Sequence, residues 1–232
     1  MQEGAKPLAQ KLYQSLWTTT HNKVVCIGRN YSDHAKEMNS SVPSKPIIFD
    51  KALSRVVKSG DTLYLRGTNE VHHEVELGFL IGKQAKNVKA EAWREHVQGY
   101  FLGIDFTDRD LQAQAKKNGS PWTLSKCQDG FFAVSGFVDA EKVRNPHDLE
   151  ISLKINHKFV QRDNTRQMIF QIPTLIEYIS KYMTLNEGDM ILTGTPSGVG
   201  PVKPGDYIYG QINQGIFEEL ASIYIKVERS MQ

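Results

Sequence analysis

Cysteine is nearly absent from this chain. Cys26 and Cys127 are the two in 232 residues, and they stand far apart with no C-x-x-C spacing. Neither a disulfide framework nor a thiolate zinc site is indicated, which suits a reducing compartment. Long apolar runs are also lacking. The longest, from Val75 to Ile81, is interrupted by Glu76 and Gly78, well short of the roughly 18 residues that a membrane span requires. No charge dominates: 28 Lys and Arg against 26 Asp and Glu leave a formal charge of +2. No window gathers the basic residues into a stripe that follows a phosphate backbone, which argues against a nucleic-acid partner.

The first twenty residues hold Lys6 and Lys11 but no arginine and no long apolar core, and read as neither a secretory signal nor a transit peptide. Internal repeats, low-complexity tracts and Gly/Ser linkers are missing too. What remains is 40% hydrophobic and 23% charged, the average composition of a globular chain, long enough to bury a core without disulfide or metal staples. The expected organisation is an amino-terminal arm over 1–22 followed by one domain over 23–232.

Short β-type runs dominate that domain. Strands are expected at Lys23–Ile27, Pro46–Phe49, Thr62–Leu65, Glu74–Gly82, Tyr100–Asp105, Leu149–Ile155, Asp189–Thr193, Tyr207–Ile212 and Ala221–Val227, mostly bounded by Gly, Pro, Asn or Asp. Helical stretches are fewer: Ser32–Met38, Ala90–Gln98, Thr107–Lys117 and Pro173–Met183. Thr107 and Asp110 form a capping-box pattern, and Pro173 suits a first helical turn. Strands without regular helical alternation predict a β-rich α+β fold, not a doubly wound parallel sheet.

The richest segment chemically is His72-His73-Glu74-Val75-Glu76-Leu77-Gly78-Phe79-Leu80-Ile81-Gly82. On a strand, Val75, Leu77, Phe79 and Ile81 share one face, and Glu74 and Glu76 project together from the other, roughly 6–7 Å apart at Cα. A half-exposed strand with its carboxylates in water is the ordinary alternative. Gly78 and Leu80 continue the carboxylate face, however, and two close buried carboxylates repel unless one is protonated or a cation lies between them. Asp105 ends a second apolar strand and offers a third ligand, although it also suits a strand end or a cap. Three carboxylates are an oxygen-donor set for Mg²⁺ or Mn²⁺, not zinc. His72 and His73 point to opposite faces of a strand and are left as structural or supporting groups.

A second constellation is Gly28-Arg29-Asn30-Tyr31-Ser32-Asp33-His34-Ala35-Lys36-Glu37-Met38. On a helical turn His34 and Glu37 share a face, so that Glu37 holds one imidazole nitrogen while the other acts as a general base. An exposed His and Glu on a charged helix is the alternative. Thr193-Gly194-Thr195-Pro196-Ser197-Gly198-Val199-Gly200 is Gly-rich but lacks a P-loop lysine and the GxGxxG pattern. It reads as a tight loop whose amides and Thr195 either bind a carboxylate or only turn the chain. Lys126 by itself reads as a solvated charge.

Five ordered blocks together resemble the fumarylacetoacetate hydrolase family, especially its small acylpyruvate hydrolase and oxaloacetate decarboxylase branch. They are GRNYSDHAKEM at 28–38, HHEVELGFLIGK at 72–83, GIDFTDRDLQ at 103–112, SPWTLSK at 120–126 and GDMILTGTPSGVGPVKPGD at 188–206. The resemblance implies a β-roll with few short helices, a homodimer, and a mitochondrial address with a cytoplasmic one as alternative. It implies Glu74, Glu76 and Asp105 as ligands of Mg²⁺ or Mn²⁺, and His34 and Glu37 as a catalytic dyad beneath a closing helix. Lys126 would stabilise a developing oxyanion, and Arg109, Gln112 and Thr195 would contact substrate.

The implied substrate is a small 2-keto acid with a C4 carbonyl. It would be cleaved between C3 and C4 through a metal-stabilised enolate, by acylpyruvate hydrolysis or oxaloacetate decarboxylation. Two alternatives are an oxaloacetate keto–enol tautomerase and a non-catalytic structural subunit. Two stretches depart from the family pattern. Phe49-Asp50-Lys51-Ala52 stands where relatives commonly read Phe-Leu-Lys-Pro, and Cys127-Gln128-Asp129-Gly130 follows Lys126 where many have a different step.

Overall fold

The nine runs expected as strands all form strands, and smaller ones join them into three sheets. In a computed structural model that describes residues 22–38, 41–67 and 69–230, the largest sheet runs β2 (Ile47–Lys51), β1 (Val24–Gly28), β13 (Met190–Leu192), β6 (Val75–Ile81), β7 (Val97–Asp105), β9 (Phe132–Val134) and β3 (Val57–Lys58). An eighth strand, β10 (Val138–Asp139), pairs with β7 off that path. The second sheet runs β12 (Lys158–Asn164), β11 (Glu150–Ile155), β15 (Tyr207–Gln214), β16 (Glu218–Arg229) and β4 (Thr62–Leu65). A small third sheet joins β14 (Gly200–Pro201), β5 (Val71–His73) and β8 (Thr107–Asp108). The fold is β-rich α+β with few helices, as the residue pattern predicts. The expected arm over 1–22 lies outside the described residues except for Asn22.

β6 is buried along its whole length: one face is apolar throughout, and the other continues from the carboxylate of Glu76 with Gly78 and Leu80. Val75, Leu77, Phe79 and Ile81 join the main core, while Leu80 packs on the opposite side with Phe101, Phe132 and Leu192. That second face needs Gly78: a Cβ there would lie 2.3 Å from the Phe101 ring. Any larger residue would push the ring out of a close-packed layer.

The helices are α1 (Ser32–Glu37), α2 (Arg109–Asn118), α3 (Thr123–Lys126) and α4 (Ile172–Tyr182). Proline sits in the first turn of α4, and its buried stripe of Ile172, Leu175, Ile176 and Ile179 repeats at helical spacing. Three expectations need correction. The expected helix over Ala90–Gln98 is a 3₁₀ helix over Ala90–His96, and Val97 and Gln98 already belong to β7. The capping box does not form: Thr107 is held in β8 opposite His72, and Asp108 caps α2 by accepting from the Leu111 N–H at 2.9 Å. Finally, β6 begins at Val75, so Glu74 stands at the break between β5 and β6.

Candidate metal centre and active site

That break places two carboxylates face to face. The Asp105 N–H donates to the Glu74 carbonyl at 2.9 Å, so the last residue of β7 lies opposite Glu74. Glu76 lies opposite Gly103 in the β6–β7 register, which spares it a facing side chain. One carboxylate oxygen from each of Glu74, Glu76 and Asp105 falls within 4.8 Å of the others, and all three residues are buried. Like charges opposed across a ladder are destabilising unless something intervenes.

Cations intervene. Lys126, at the end of α3 and 2% exposed, donates from Nζ to Glu74 Oε2 at 2.9 Å, Asp105 Oδ2 at 2.5 Å and the Thr107 hydroxyl at 2.6 Å. Arg109 pairs with Glu74 Oε1 at 2.6 Å and donates to Gln112 Oε1 at 2.8 Å. Lys51, at the end of β2, pairs with Asp105 Oδ1 and donates to the carbonyls of Phe106 at 2.6 Å and Lys126 at 2.7 Å. Burial of Lys126 opposes its charge, yet Asp105 and Glu74 hold its pKa above the ordinary value. Burial would likewise raise Glu74, but Lys126 and Arg109 keep it well below the usual carboxylate range.

Among the described residues, Glu76 forms no ion pair. Its Oε2 accepts from the Gly194 N–H at 2.7 Å, but burial and then repulsion from Asp105 and Glu74 push its pKa well above the carboxylate range. Three buried oxygen donors, one of them in no ion pair among the described residues, fit a hard divalent ion such as Mg²⁺ or Mn²⁺.

The opposite rim carries the second constellation. His34, on α1, is buried, and its Nδ1 lies 3.0 Å from Glu37 Oε2. The other Glu37 oxygen accepts from the Gly198 N–H at 3.0 Å. Asn30 sets the entry to this helix: its side chain donates to the carbonyls of Phe170 at 2.9 Å and Thr193 at 2.7 Å, and accepts from the Phe170 N–H at 2.7 Å.

His34, Glu74, Glu76, Arg109, Gln112, Lys126 and Thr195 line one narrow cleft of about 30 Å³. Asp105 and Glu37 join through the bonds above, so all nine residues singled out from sequence gather around one place. The Gly-rich loop turns out to hold protein carboxylates: Gly194 serves Glu76 and Gly198 serves Glu37. The Thr195 hydroxyl donates to the Val75 carbonyl at 2.8 Å.

Two further groups escaped sequence reading. Lys51 stands in the Phe49–Ala52 stretch noted only as a departure from pattern, and nothing local in that stretch marks its burial. Gln161 is buried and locks the site's far wall: its Oε1 accepts from His73 Nδ1 at 2.8 Å and the Val75 N–H at 3.0 Å, while Nε2 donates to Thr195 Oγ1 at 2.8 Å and the Pro196 carbonyl at 2.9 Å. No local pattern marks it. His73 thus supports the site through Gln161, and His72 pairs at the surface with Glu70 at 2.5 Å.

Similarity to known proteins follows the same residues. Residues 23–222 match the fumarylacetoacetate (FAA) hydrolase C-terminal family. The chain is 44% identical over 228 residues to a mitochondrial oxaloacetate tautomerase of Mus musculus, covering 98% of each chain. It is 45% identical over 192 residues to a mitochondrial oxaloacetate decarboxylase of Dictyostelium discoideum, covering 82% of this chain and 88% of that one. Among solved structures, fumarylpyruvate hydrolase from Pseudomonas aeruginosa in complex with Mn²⁺ and pyruvate superposes with a TM-score of 0.83 at 34% identity, covering 90% of both chains. By fold, by ordered motifs and by these matches, the chain belongs to the fumarylacetoacetate hydrolase family.

Proposed function

We propose that this protein is an enzyme that binds a small 2-keto acid carrying a second carbonyl at C4, oxaloacetate first among them, and converts it through its enolate. The observation that carries this reading is the meeting, in one cleft, of three buried carboxylates with the cations Lys126 and Arg109 and with the His34–Glu37 pair. Glu74, Glu76 and Asp105 would hold Mg²⁺ or Mn²⁺. A divalent ion bound there supplies Lewis-acid charge that withdraws electrons from a C2 carbonyl and makes the C3 proton more acidic.

Charge balance supports the substrate class. Three carboxylates face three cations, Lys51, Arg109 and Lys126, and Arg29 and Lys116 also line the cleft, so with a divalent ion bound the site is net positive, the complement of an anionic keto acid. Arg109 and Gln112 sit at the rim to orient carboxylate and carbonyl oxygens, and Lys126 stands beside the charge that develops on enolisation. His34, oriented by Glu37, takes or returns a proton at C3. Residues 23–232 act as one catalytic unit in this reading, assembled as a homodimer with a mitochondrial address, the cytoplasm being the alternative.

Enolisation alone gives keto–enol tautomerisation, the activity in the names of the oxaloacetate tautomerase relatives. Cleavage of the C3–C4 bond, by decarboxylation or by hydrolysis of an acylpyruvate, instead leaves the enolate of pyruvate, which the same charges would stabilise, and is the second reading. It is favoured by the His34–Glu37 pair, whose buried imidazole can activate a water against the C4 carbonyl. A non-catalytic subunit has no use for three buried metal-type carboxylates. The experiment is to follow oxaloacetate and acetylpyruvate absorbance with purified protein and Mg²⁺ or Mn²⁺, with and without EDTA, while pyruvate is assayed. EDTA-sensitive absorbance change without pyruvate supports tautomerisation, EDTA-sensitive pyruvate supports cleavage, and no change with either substrate refutes both.

A further inference from the structure

Val75 stands where a sheet ladder runs out. Pairing between β13 and β6 ends with Leu192 opposite Gly78, and one step further the Thr193 N–H reaches the Leu77 carbonyl at 3.0 Å. Backbone groups of alternate residues point to the same side of a strand, so the N–H and C=O of Val75 face that same side beyond the end of β13. Two side chains take the place of the strand. Gln161 Oε1 accepts from the Val75 N–H at 3.0 Å, and the Thr195 hydroxyl donates to the Val75 carbonyl at 2.8 Å.

These contacts fix the polarity of everything that follows. A backbone N–H only donates, so the Gln161 atom facing Val75 is the amide oxygen. A backbone carbonyl only accepts, so the atom 2.9 Å from the Pro196 carbonyl is the amide nitrogen. That nitrogen lies 2.8 Å from Thr195 Oγ1 and donates to it. A threonine hydroxyl has one proton and two acceptor sites. Val75 holds the proton, Gln161 fills one acceptor site, and one acceptor site is left.

Thr195 lines the cleft and is 3% exposed. We infer that its hydroxyl meets a ligand there only as an acceptor, and so selects ligands that carry an O–H, the enol tautomer of a 2-keto acid ahead of the keto tautomer. This rests on the functional reading above and adds to it which tautomer the site holds best. It also sets aside the alternative that this hydroxyl binds a carboxylate. A carboxylate oxygen or a keto carbonyl brings a lone pair against a lone pair, whereas an enol brings a proton. Turning the Thr195 proton toward the cleft would strip a buried carbonyl of its donor, a loss that outweighs the usual gain from one new bond.

L-lactate and pyruvate share a carboxylate and differ at C2, where one has an O–H donor and the other a C=O acceptor. Their affinities for the Mn²⁺-loaded protein, by titration calorimetry, give a lactate-to-pyruvate ratio for wild type, Thr195→Val and Thr195→Ser. Thr195→Val keeps the shape and removes the oxygen, and should lower the ratio about two- to tenfold, the worth of one hydrogen bond. Thr195→Ser keeps the hydroxyl and should leave the ratio unmoved. An unmoved or raised ratio in Thr195→Val overturns the inference, and so does a fall in Thr195→Ser as large as that in Thr195→Val. A ratio that falls as stated, in a protein that changes neither oxaloacetate nor acetylpyruvate, supports the inference and overturns the functional reading alone. Should Thr195→Val not fold, wild type is titrated with lactate and with its methyl ether, 2-methoxypropanoate. Equal affinities then overturn the inference, and weaker binding of the ether supports it.

Discussion

The backbone carbonyl of Lys126 accepts a hydrogen bond from Lys51 Nζ at 2.7 Å, so the two lysines that take opposite oxygens of Asp105 are also tied to each other. Lys51 is fully buried at its side chain, and burial pulls its pKa below the ordinary lysine value against the pull of Asp105. Removing one partner of a buried ion pair leaves the other uncompensated. Lys51→Met, of similar length and without charge, also strips the carbonyls of Phe106 and Lys126 of their donor. We expect a loss of about 3–5 kcal/mol, measured by urea denaturation. A loss below about 1 kcal/mol, the scale of a surface pair, would show that Lys51 does not pin the cluster.

Glu76 is placed oppositely, since it is repelled by its neighbours and served by a single backbone N–H. Glu76→Gln removes that repulsion while keeping the side chain's shape. The metal-free protein should therefore be at least as stable as wild type, while Mn²⁺ affinity and all turnover collapse. His34→Ala tests the other rim. It should retain metal and lower proton transfer by about 10²–10⁴-fold, the usual contribution of a general acid–base, with acylpyruvate hydrolysis hit harder than oxaloacetate decarboxylation. Equal losses in both reactions, with metal still bound, would count against a water-activating role.

Much of this was legible from local pattern. Short apolar runs mark β6 and β7, and parity puts Glu76 on the face opposite Val75, Leu77, Phe79 and Ile81 while Asp105 ends β7, because a strand's faces are set by residue parity alone. The i, i+3 spacing of His34 and Glu37 is equally local. Lys51 and Gln161 were not legible because their roles exist only across long separations: Lys51 meets Asp105 through sheet order, and Gln161, on β12 of the second sheet, reaches His73 on β5 of the third sheet and Thr195 in the loop after β13. The capping box at Thr107 failed for a related reason. Strand pairing with His72 and the claim of Lys126 on the Thr107 hydroxyl outweigh a cap worth about 1 kcal/mol.

Gly194 joins the loop to the metal-type carboxylates. Its φ of +97° is one that residues with a side chain rarely adopt, and a Cβ would lie 2.7 Å from the Asn30 Cβ and 3.0 Å from the Ile27 carbonyl. Gly194→Ala should shift the N–H that holds Glu76. Groups that orient a metal ligand contribute about 10–100-fold in affinity, and a weakening of Mn²⁺ binding in that range is expected by titration. Unchanged affinity would mean that Glu76 is oriented by strand packing alone.

His73 gives the pH dependence a definite sign. It is buried against Gln161, and burial lowers its pKa from 6.5 to about 4 in spite of the hydrogen bond to Gln161. Between those values the unfolded chain binds a proton that the folded chain refuses, so stability rises with pH across that window and falls on acidification. The carboxylates titrate there too, so the informative quantity is a difference between proteins. His73→Asn keeps a donor for Gln161 Oε1 and loses the titration. In EDTA, the wild-type advantage over His73→Asn should shrink by about 2 kcal/mol from about pH 7.5 to about pH 5, at about 1.4 kcal/mol per pH unit. Parallel stability curves would show that His73 titrates in the folded protein as it does in the unfolded chain, and would break the chain of support from His73 through Gln161 to Thr195.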